Sequence, residues 1–218
     1  MYATISPSKD EVHKEKKIIV DGKARLSFAV GKDGVTRLDD LFQRDPQRIL
    51  FPNPPKDDIT QAVVVTTSGG LVGGDQISVE IKTSEHAQAL VTAQAAEKIY
   101  RSAGEDAVIE INLAAEAGSW LEFLPQETIL FEGARLRRNT HINVAAGGKL
   151  FAGEMMVFGR LGHGERFSTG LAHDGWEVSR DDRLAWAEAL HLEHDIAEVI
   201  DDAACFDGAV AVATAVYV

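Results

Sequence analysis

The sequence predicts an all-β, helix-poor fold of stacked short strands, arranged as a sandwich or as a β-helix-like coil. Apolar side chains recur at every second position along most of the chain, and this period is typical of half-buried strands. Glycine-bearing turns separate these runs at spacings of about ten to fifteen residues, as in layered β folds. Strands do not alternate with long helical patterns, which excludes a Rossmann fold and a TIM barrel.

Each strand or helix is predicted from the local pattern of apolar residues in its own segment. Residues 76–82 alternate strictly, with three aliphatic side chains on one face, and residues 107–113 repeat the pattern. Two short helices are predicted, around residues 37–42 and 95–103. The predicted strands are 62–65, 76–82, 107–113, 136–144, 150–158, 176–178, 184–192 and 210–218.

The chain has 218 residues, a length that suits one domain. We predict a flexible lead over residues 1–21 and a single β domain over residues 22–218. The lead has no apolar stretch like that of a signal peptide, and no run of about 20 apolar residues predicts a transmembrane helix. One cysteine, Cys205, excludes an internal disulfide. These features predict a cytoplasmic protein.

The charge is strongly acidic, with 34 acidic against 22 basic residues and a formal net charge of −12. An acidic chain repels phosphate backbones at long range, so nucleic acid and anionic membranes are excluded as partners of the whole molecule. Metal cations and basic protein patches are favoured instead.

Four glycines crowd one loop: Gly69, Gly70, Gly73 and Gly74. The first and last have the spacing of a phosphate-binding loop, but Asp75 stands where that loop has its lysine, so nucleotide binding is not predicted. The loop is interpreted as a tight turn that needs positive φ, or as a special backbone shape that lets another chain approach closely.

No enzyme motif stands out. His191 and His194 are close in sequence, yet on a strand they face opposite sides, so they do not predict a metal site. No G-x-S-x-G elbow predicts a serine hydrolase. These patterns therefore give little support to an enzyme.

Two carboxylates share the phase of an apolar strand face. Glu154 falls in line with the apolar positions of residues 150–158, and Glu188 with those of residues 184–192. An unpaired carboxylate in a dry core costs several kcal/mol or becomes protonated. Two explanations stay open. One is a buried salt bridge to one of the nearby arginines, Arg135, Arg137 or Arg138.

The other explanation is a polar cavity or water-filled passage lined by carboxylates. Oxygen ligands on such a wall would hold a divalent cation weakly enough to release it. Asp75 and Glu97 are further candidates for this wall.

Four ordered motifs carry a family resemblance. They are residues 66–75, residues 94–102, residues 121–134, and Glu154 with the Gly-Arg and Gly-Glu pairs at 159–160 and 164–165. Together they resemble the urease accessory protein family UreD, also called UreH. The resemblance spans roughly residues 22–218.

The resemblance implies a scaffold and metal-delivery chaperone with an all-β fold, not an enzyme. Such proteins bind urease apoprotein and UreF, and through UreF join the GTPase UreG, which brings nickel. The implied cargo is transient Ni²⁺, with no tightly bound cofactor. On this basis Glu154, Glu188, Asp75 and Glu97 are predicted to be transient oxygen ligands along an internal nickel route.

The resemblance also raises Tyr100 and Phe131 as residues of a UreF interface, with core packing as the alternative. The family continues beyond the point where this chain ends, so we expect a C-terminally incomplete domain. That expectation places the family's UreF-linked dimer in question. Two other functions stay open, a metal-dependent hydrolase and a plain β-sandwich module that binds protein.

Overall fold

A computed structural model describes residues 19–53 and 58–218. It confirms the all-β, helix-poor fold. Residues 1–18, most of the predicted lead, lie outside the described residues. The strands are β1 (Asp21–Val30), β2 (Thr36–Arg44), β3 (Gln47–Leu50), β4 (Thr60–Thr66), β5 (Gln76–Thr83), β6 (Gln88–Ala93), β7 (Glu97–Ile99), β8 (Ala107–Ala115), β9 (Trp120–Leu124), β10 (Thr128–Leu130), β11 (Arg135–Val144), β12 (Lys149–Phe158), β13 (Leu171–Arg180), β14 (Arg183–Leu192) and β15 (Ala211–Tyr217).

The strands form two sheets packed face to face. The seven-stranded sheet has the order β14-β13-β11-β8-β5-β1-β2, and the eight-stranded sheet has the order β3-β4-β6-β9-β12-β10-β7, with β15 paired to β12. From β4 to β13 the chain passes repeatedly between the two sheets, and neighbouring coils pair in parallel. The result is a β-helix-like stack.

The core lies between the sheets. In β5 the predicted inward face is confirmed, because Ile77, Val79 and Ile81 are all buried. Phe28 of β1 and Leu121 of β9 are fully buried from opposite sheets within the same apolar cluster. Burial of this continuous apolar surface is the main stabilising contribution to the fold.

The two predicted helices are wrong in position. The segment around residues 37–42 belongs to β2, which pairs antiparallel with β1, and its apolar Leu38 and Phe42 remain exposed. Leu38 and Phe42 have the spacing of one helix face, but no helix forms there and neither side chain is buried. Within residues 95–103, Glu97–Ile99 forms β7, because pairing with β10 overrides the local helix propensity.

Helical structure occurs elsewhere. Within the described part of the chain, the α-helix is α1 (Ile196–Asp201), which buries Ile196 and Ile200, and a 3₁₀ turn covers Leu161–His163. None of the helices in residues 19–53 and 58–218 has both the length and the apolar character needed to cross a membrane.

The glycine loop connects β4 to β5 and so carries the chain from one sheet to the other. Gly70 has φ 138°, and a Cβ there would lie 2.6 Å from the carbonyl oxygen of Lys98. A Cβ on Gly73 would overlap Ser102 and the backbone of Glu105. The close approach that the glycines permit is therefore made by a neighbouring segment of this same chain.

The eight-stranded sheet is interrupted between two blocks of paired strands. On one side of the interruption β6 pairs with β9, and on the other side β7 pairs with β10. Residues 94–96 and 125–127 lie between the blocks and outside the strands. Pro125 accounts for part of this break, because proline lacks the N–H that a continuing ladder requires.

Candidate functional site

Three charged side chains meet between the sheets. Arg138 of β11 is 3% exposed, and its Nε donates a hydrogen bond to Asp174 Oδ1 of β13 at 2.8 Å. The same Nε lies 2.8 Å from Glu154 Oε2 of β12, across the gap between the sheets. Trp176 Nε1 donates to the other oxygen of Asp174 at 3.2 Å, and Arg138 Nη1 donates to Thr128 at 3.1 Å.

This cluster is charged unequally, with two carboxylates and one guanidinium. Burial raises the pKa of the Glu154 carboxyl to about 7, Arg138 opposes that rise, and Asp174 adds to it. Arg138 Nη2 is buried and makes no hydrogen bond to any residue that the structure describes. A buried unpaired donor of this kind indicates a place for water or a ligand.

A cavity of about 80 Å³ adjoins the cluster. Glu97 lies on its wall, half-buried, and Glu97 Oε2 accepts a 2.6 Å hydrogen bond from Thr66 Oγ1. Burial raises the pKa of Glu97, although its hydrogen bond to Thr66 opposes the change. The polar lining is Gln47, Thr66, Thr92, Glu97, Gln126, Thr128, Arg138 and Glu154.

The cavity also reaches the interruption in the eight-stranded sheet. Ala95, Pro125 and Gln126, which lie between the two strand blocks, are part of its wall. The interior polar groups are thus next to a stretch where that sheet's ladder is broken on adjacent strands.

The other two predicted acidic residues lie elsewhere. Asp75 is buried, but its carboxylate accepts hydrogen bonds from the backbone N–H groups of Val20 and Val72, so it closes the glycine loop. Glu188 is exposed on β14. Neither lines the cavity that Glu97 and Glu154 share.

The expectation that Glu188 lies on a buried face is wrong. It does share a face with Trp186, but β14 is an edge strand, and this face borders an open cleft toward residues 214–218, at the end of β15 and just after it. Trp186 is 37% exposed and Leu184 is 64% exposed for the same reason. Periodicity identified the face correctly, but it could not show that the opposite sheet leaves it uncovered.

Tyr100 and Phe131 contact each other near the surface. Their rings are edge-to-face at 4.9 Å, and the Arg160 guanidinium lies 4.1 Å from the centre of the Phe131 ring. Both aromatic side chains are only half-buried. Tyr100 Oη donates to the Gly69 carbonyl at 2.8 Å, which ties this patch to the glycine loop.

Sequence reasoning missed Asp174 and left the partner of Glu154 open among three arginines. The structure brings Arg138 to Glu154, whereas Arg135 and Arg137 bind Asp106 on the outer face. The alternation along β11 was a usable signal, since Arg138 lies on the same buried face as Leu136 and Thr140. Asp174 in the same way shares the buried face of β13 with Trp176.

No group of three or more His, Cys, Asp and Glu side chains converges at metal-binding distance in the described residues. The buried acids Glu154 and Asp174 instead flank one nitrogen of Arg138.

Comparisons with known proteins point to one family. The family model described as UreD urease accessory protein matches residues 20–218. A urease accessory protein UreD of Magnetococcus marinus is 48% identical over 195 residues, which cover 89% of this chain and 67% of the relative. Relatives named UreD 3 in a Bradyrhizobium species and UreD in Rhodopseudomonas palustris are each 41% identical, over 86% and 88% of this chain.

The chain spans about two thirds of the length of these relatives: 67% of the Bradyrhizobium protein and 68% of the Rhodopseudomonas protein. The match includes every strand of both sheets, the glycine loop and the buried cluster at Glu154. These relatives are named as accessory proteins, in line with the prediction that the chain is not an enzyme. The chain belongs to the UreD urease accessory protein family.

Proposed function

We propose that this chain is a cytoplasmic urease maturation factor, a scaffold that binds urease apoprotein and UreF and helps to deliver Ni²⁺ through its interior. The family membership supports the maturation role. The observation that carries the route is the cavity between the sheets, where Glu97 and Glu154 lie on one wall beside a break in the eight-stranded sheet.

The chemistry of the wall suits a transient cargo. Single carboxylate and hydroxyl oxygens bind a divalent cation less firmly than a set of imidazoles or thiolates would. The Arg138 guanidinium lies 2.8 Å from Glu154 and competes with a cation for this carboxylate. Asp174 offsets the arginine charge, so the buried cluster carries one net negative charge when both acids are ionised. A cation would be attracted but held weakly.

The partner surface is proposed at Tyr100 and Phe131, as the UreF interface through which UreG would join. Half-buried aromatic rings beside an arginine are the side chains that protein interfaces favour. This patch is adjacent to the glycine loop, so a partner bound here would contact one of the family motifs. Association through UreF would also account for the dimer that the family resemblance implies.

The route is tested with the double variant E97Q/E154Q, which keeps side-chain shape but removes both charges. Glu188→Gln is the matched control, because Glu188 is an exposed acid outside the cavity. The chain, urease subunits, UreF and UreG are produced together, and we measure nickel content and urease activity. We expect severalfold lower nickel insertion for E97Q/E154Q, with UreF still co-purifying, and no change for E188Q. Wild-type nickel content in the double variant would refute the route.

The interface is tested separately with Y100A/F131A. We expect loss of UreF co-purification, whereas Tyr217→Ala, which removes an exposed aromatic ring at the far cleft, should keep it. Equal UreF recovery from both variants would refute this surface.

A second function, a protein-binding module without a metal role, is favoured by the pairing of Glu154 with Arg138. Such a module needs no free carboxylate. It predicts that E97Q/E154Q changes neither nickel content nor partner binding, whereas Y100A/F131A abolishes activation.

A further inference from the structure

Two histidines lie side by side on the outer face of the seven-stranded sheet. His173 of β13 and His191 of β14 are directly opposite each other in the antiparallel register. Their Nδ1 atoms are 3.3 Å apart, and the rings are inclined at 66°. Both side chains point away from the core, on the face opposite to the buried Arg138 cluster. They are thus separate from the cavity and from the proposed nickel route.

The distance between the two nitrogens matches the distance between two nitrogen ligands of one metal ion. Two nitrogens bound to one tetrahedral Zn²⁺ at about 2.0–2.1 Å are about 3.3–3.4 Å apart. His173 Nε2 lies above Gly175, 3.3 Å from where a Cβ would stand, so Nδ1 is the nitrogen that faces the partner strand. The two nitrogens are within hydrogen-bond distance of each other, so a metal ion between them would take the place of the proton that they share.

A carboxylate is placed to support one of the rings. His191 Nε2 lies 3.6 Å from Glu193 Oε2, and Glu193 Oε1 accepts a 3.0 Å hydrogen bond from Arg135. That bond holds the Glu193 carboxylate beside the His191 ring. Metal-binding histidines typically donate their second ring N–H to such a carboxylate, which fixes the ring and strengthens the ligand.

The charged residues around the two histidines balance each other, so they neither repel a cation nor bind one by themselves. Arg135 and Arg137 are balanced by Asp106 and Glu193, with Asp106 bound by both arginines.

We propose that His173 and His191 form a surface site for a transition-metal ion of Zn²⁺ type, with two coordination positions open to water or to a partner's side chain. Imidazole pairs suit Zn²⁺, Cu²⁺ and Ni²⁺ and disfavour Mg²⁺. The inference does not rest on the proposed function, because no residue of the internal cavity takes part.

The test titrates the purified full chain with Zn²⁺ alone, by calorimetry, with Mg²⁺ as the negative control. We expect one Zn²⁺ equivalent that is lost in His173→Gln and in His191→Gln, whose exposed or half-exposed positions keep the fold. Glu193→Gln should weaken binding about tenfold, by removing the supporting carboxylate. His194→Gln is the matched control, because it changes a neighbouring histidine outside the pair, and it should bind Zn²⁺ as the wild type does.

Copper provides an independent readout of the ligands. We expect electron spin echo spectra of the Cu²⁺-loaded chain to show two coordinated imidazoles in the wild type and in E154Q, and one in H191Q. Circular dichroism confirms that each variant is folded. Unchanged Zn²⁺ binding in both H173Q and H191Q, or loss of binding in H194Q, would overturn the proposal. Failure of the nickel route in E97Q/E154Q would leave these outcomes unaffected.

Discussion

The buried Glu154 carboxyl makes folding stability depend on pH in an unusual direction. Burial raises its pKa from an ordinary 4.5 to about 7, so between these values the folded state keeps a proton that the unfolded state has released. Stability must therefore fall as pH rises through this window, and the loss is complete above pH 7. At about 1.4 kcal/mol per pH unit, the difference amounts to about 3 kcal/mol.

The perturbation that isolates this effect is Glu154→Gln, which mimics the protonated side chain at every pH. Urea unfolding of the wild type and E154Q at pH 4.5 and at pH 8 gives four free energies of unfolding. We expect the free energy of unfolding of E154Q, relative to that of the wild type, to be about 3 kcal/mol higher at pH 8 than at pH 4.5. The reason is that the wild type must bury a charged carboxylate at pH 8 and the variant does not.

Other groups titrate over the same range, but their contributions cancel in the difference between the two proteins. Glu188→Gln, at an exposed position, controls for the loss of one carboxylate and should show no such gain. A difference between E154Q and wild type that is the same at both pH values would refute the reasoning. It would mean that Arg138 and water compensate the buried charge fully.

Three further substitutions, two of them with a control variant, test the packing and the buried ion pairs. Gly73→Ala should destabilise the fold by about 1–3 kcal/mol through overlap with its neighbours, whereas Gly69→Ala, with open space around it, should be nearly neutral in the same urea unfolding assay. Arg138→Ala should cost about 3–5 kcal/mol at pH 8 because two buried carboxylates lose their partner, and Arg137→Ala, on the half-exposed outer face, at most about 1 kcal/mol. Leu113→Ala should cost about 2–5 kcal/mol, measured as a shift in the urea midpoint.

Strand phase predicted much of the architecture and the most informative residue of the site. The alternation in residues 150–158 put Glu154 on an inward face, and it is buried there. The same rule placed the aliphatic residues of β5 correctly. Phase is a local property, since side chains alternate along any strand whatever it pairs with.

The alternation of side chains along a strand does not show which residue lies opposite on the neighbouring strand. Asp174 and Arg138 are 36 residues apart in sequence, and only the parallel pairing of β11 with β13 brings them together. His173 and His191 meet through a register that no local pattern specifies. Glu188 was misjudged because the burial of a strand face depends on the opposite sheet. The predicted helices failed because sheet pairing outweighed local spacing at β2 and β7.

The interruption of the eight-stranded sheet has a consequence for its cooperativity. Since β6–β9 and β7–β10 are separate hydrogen-bonded ladders, the sheet consists of two blocks joined by the continuous β12. Opening of one block does not require opening of the other, so amide hydrogens in the two blocks should exchange with solvent at independent rates. The wall next to Glu97 is then the boundary between two units of local unfolding, and either unit can open while the seven-stranded sheet stays closed.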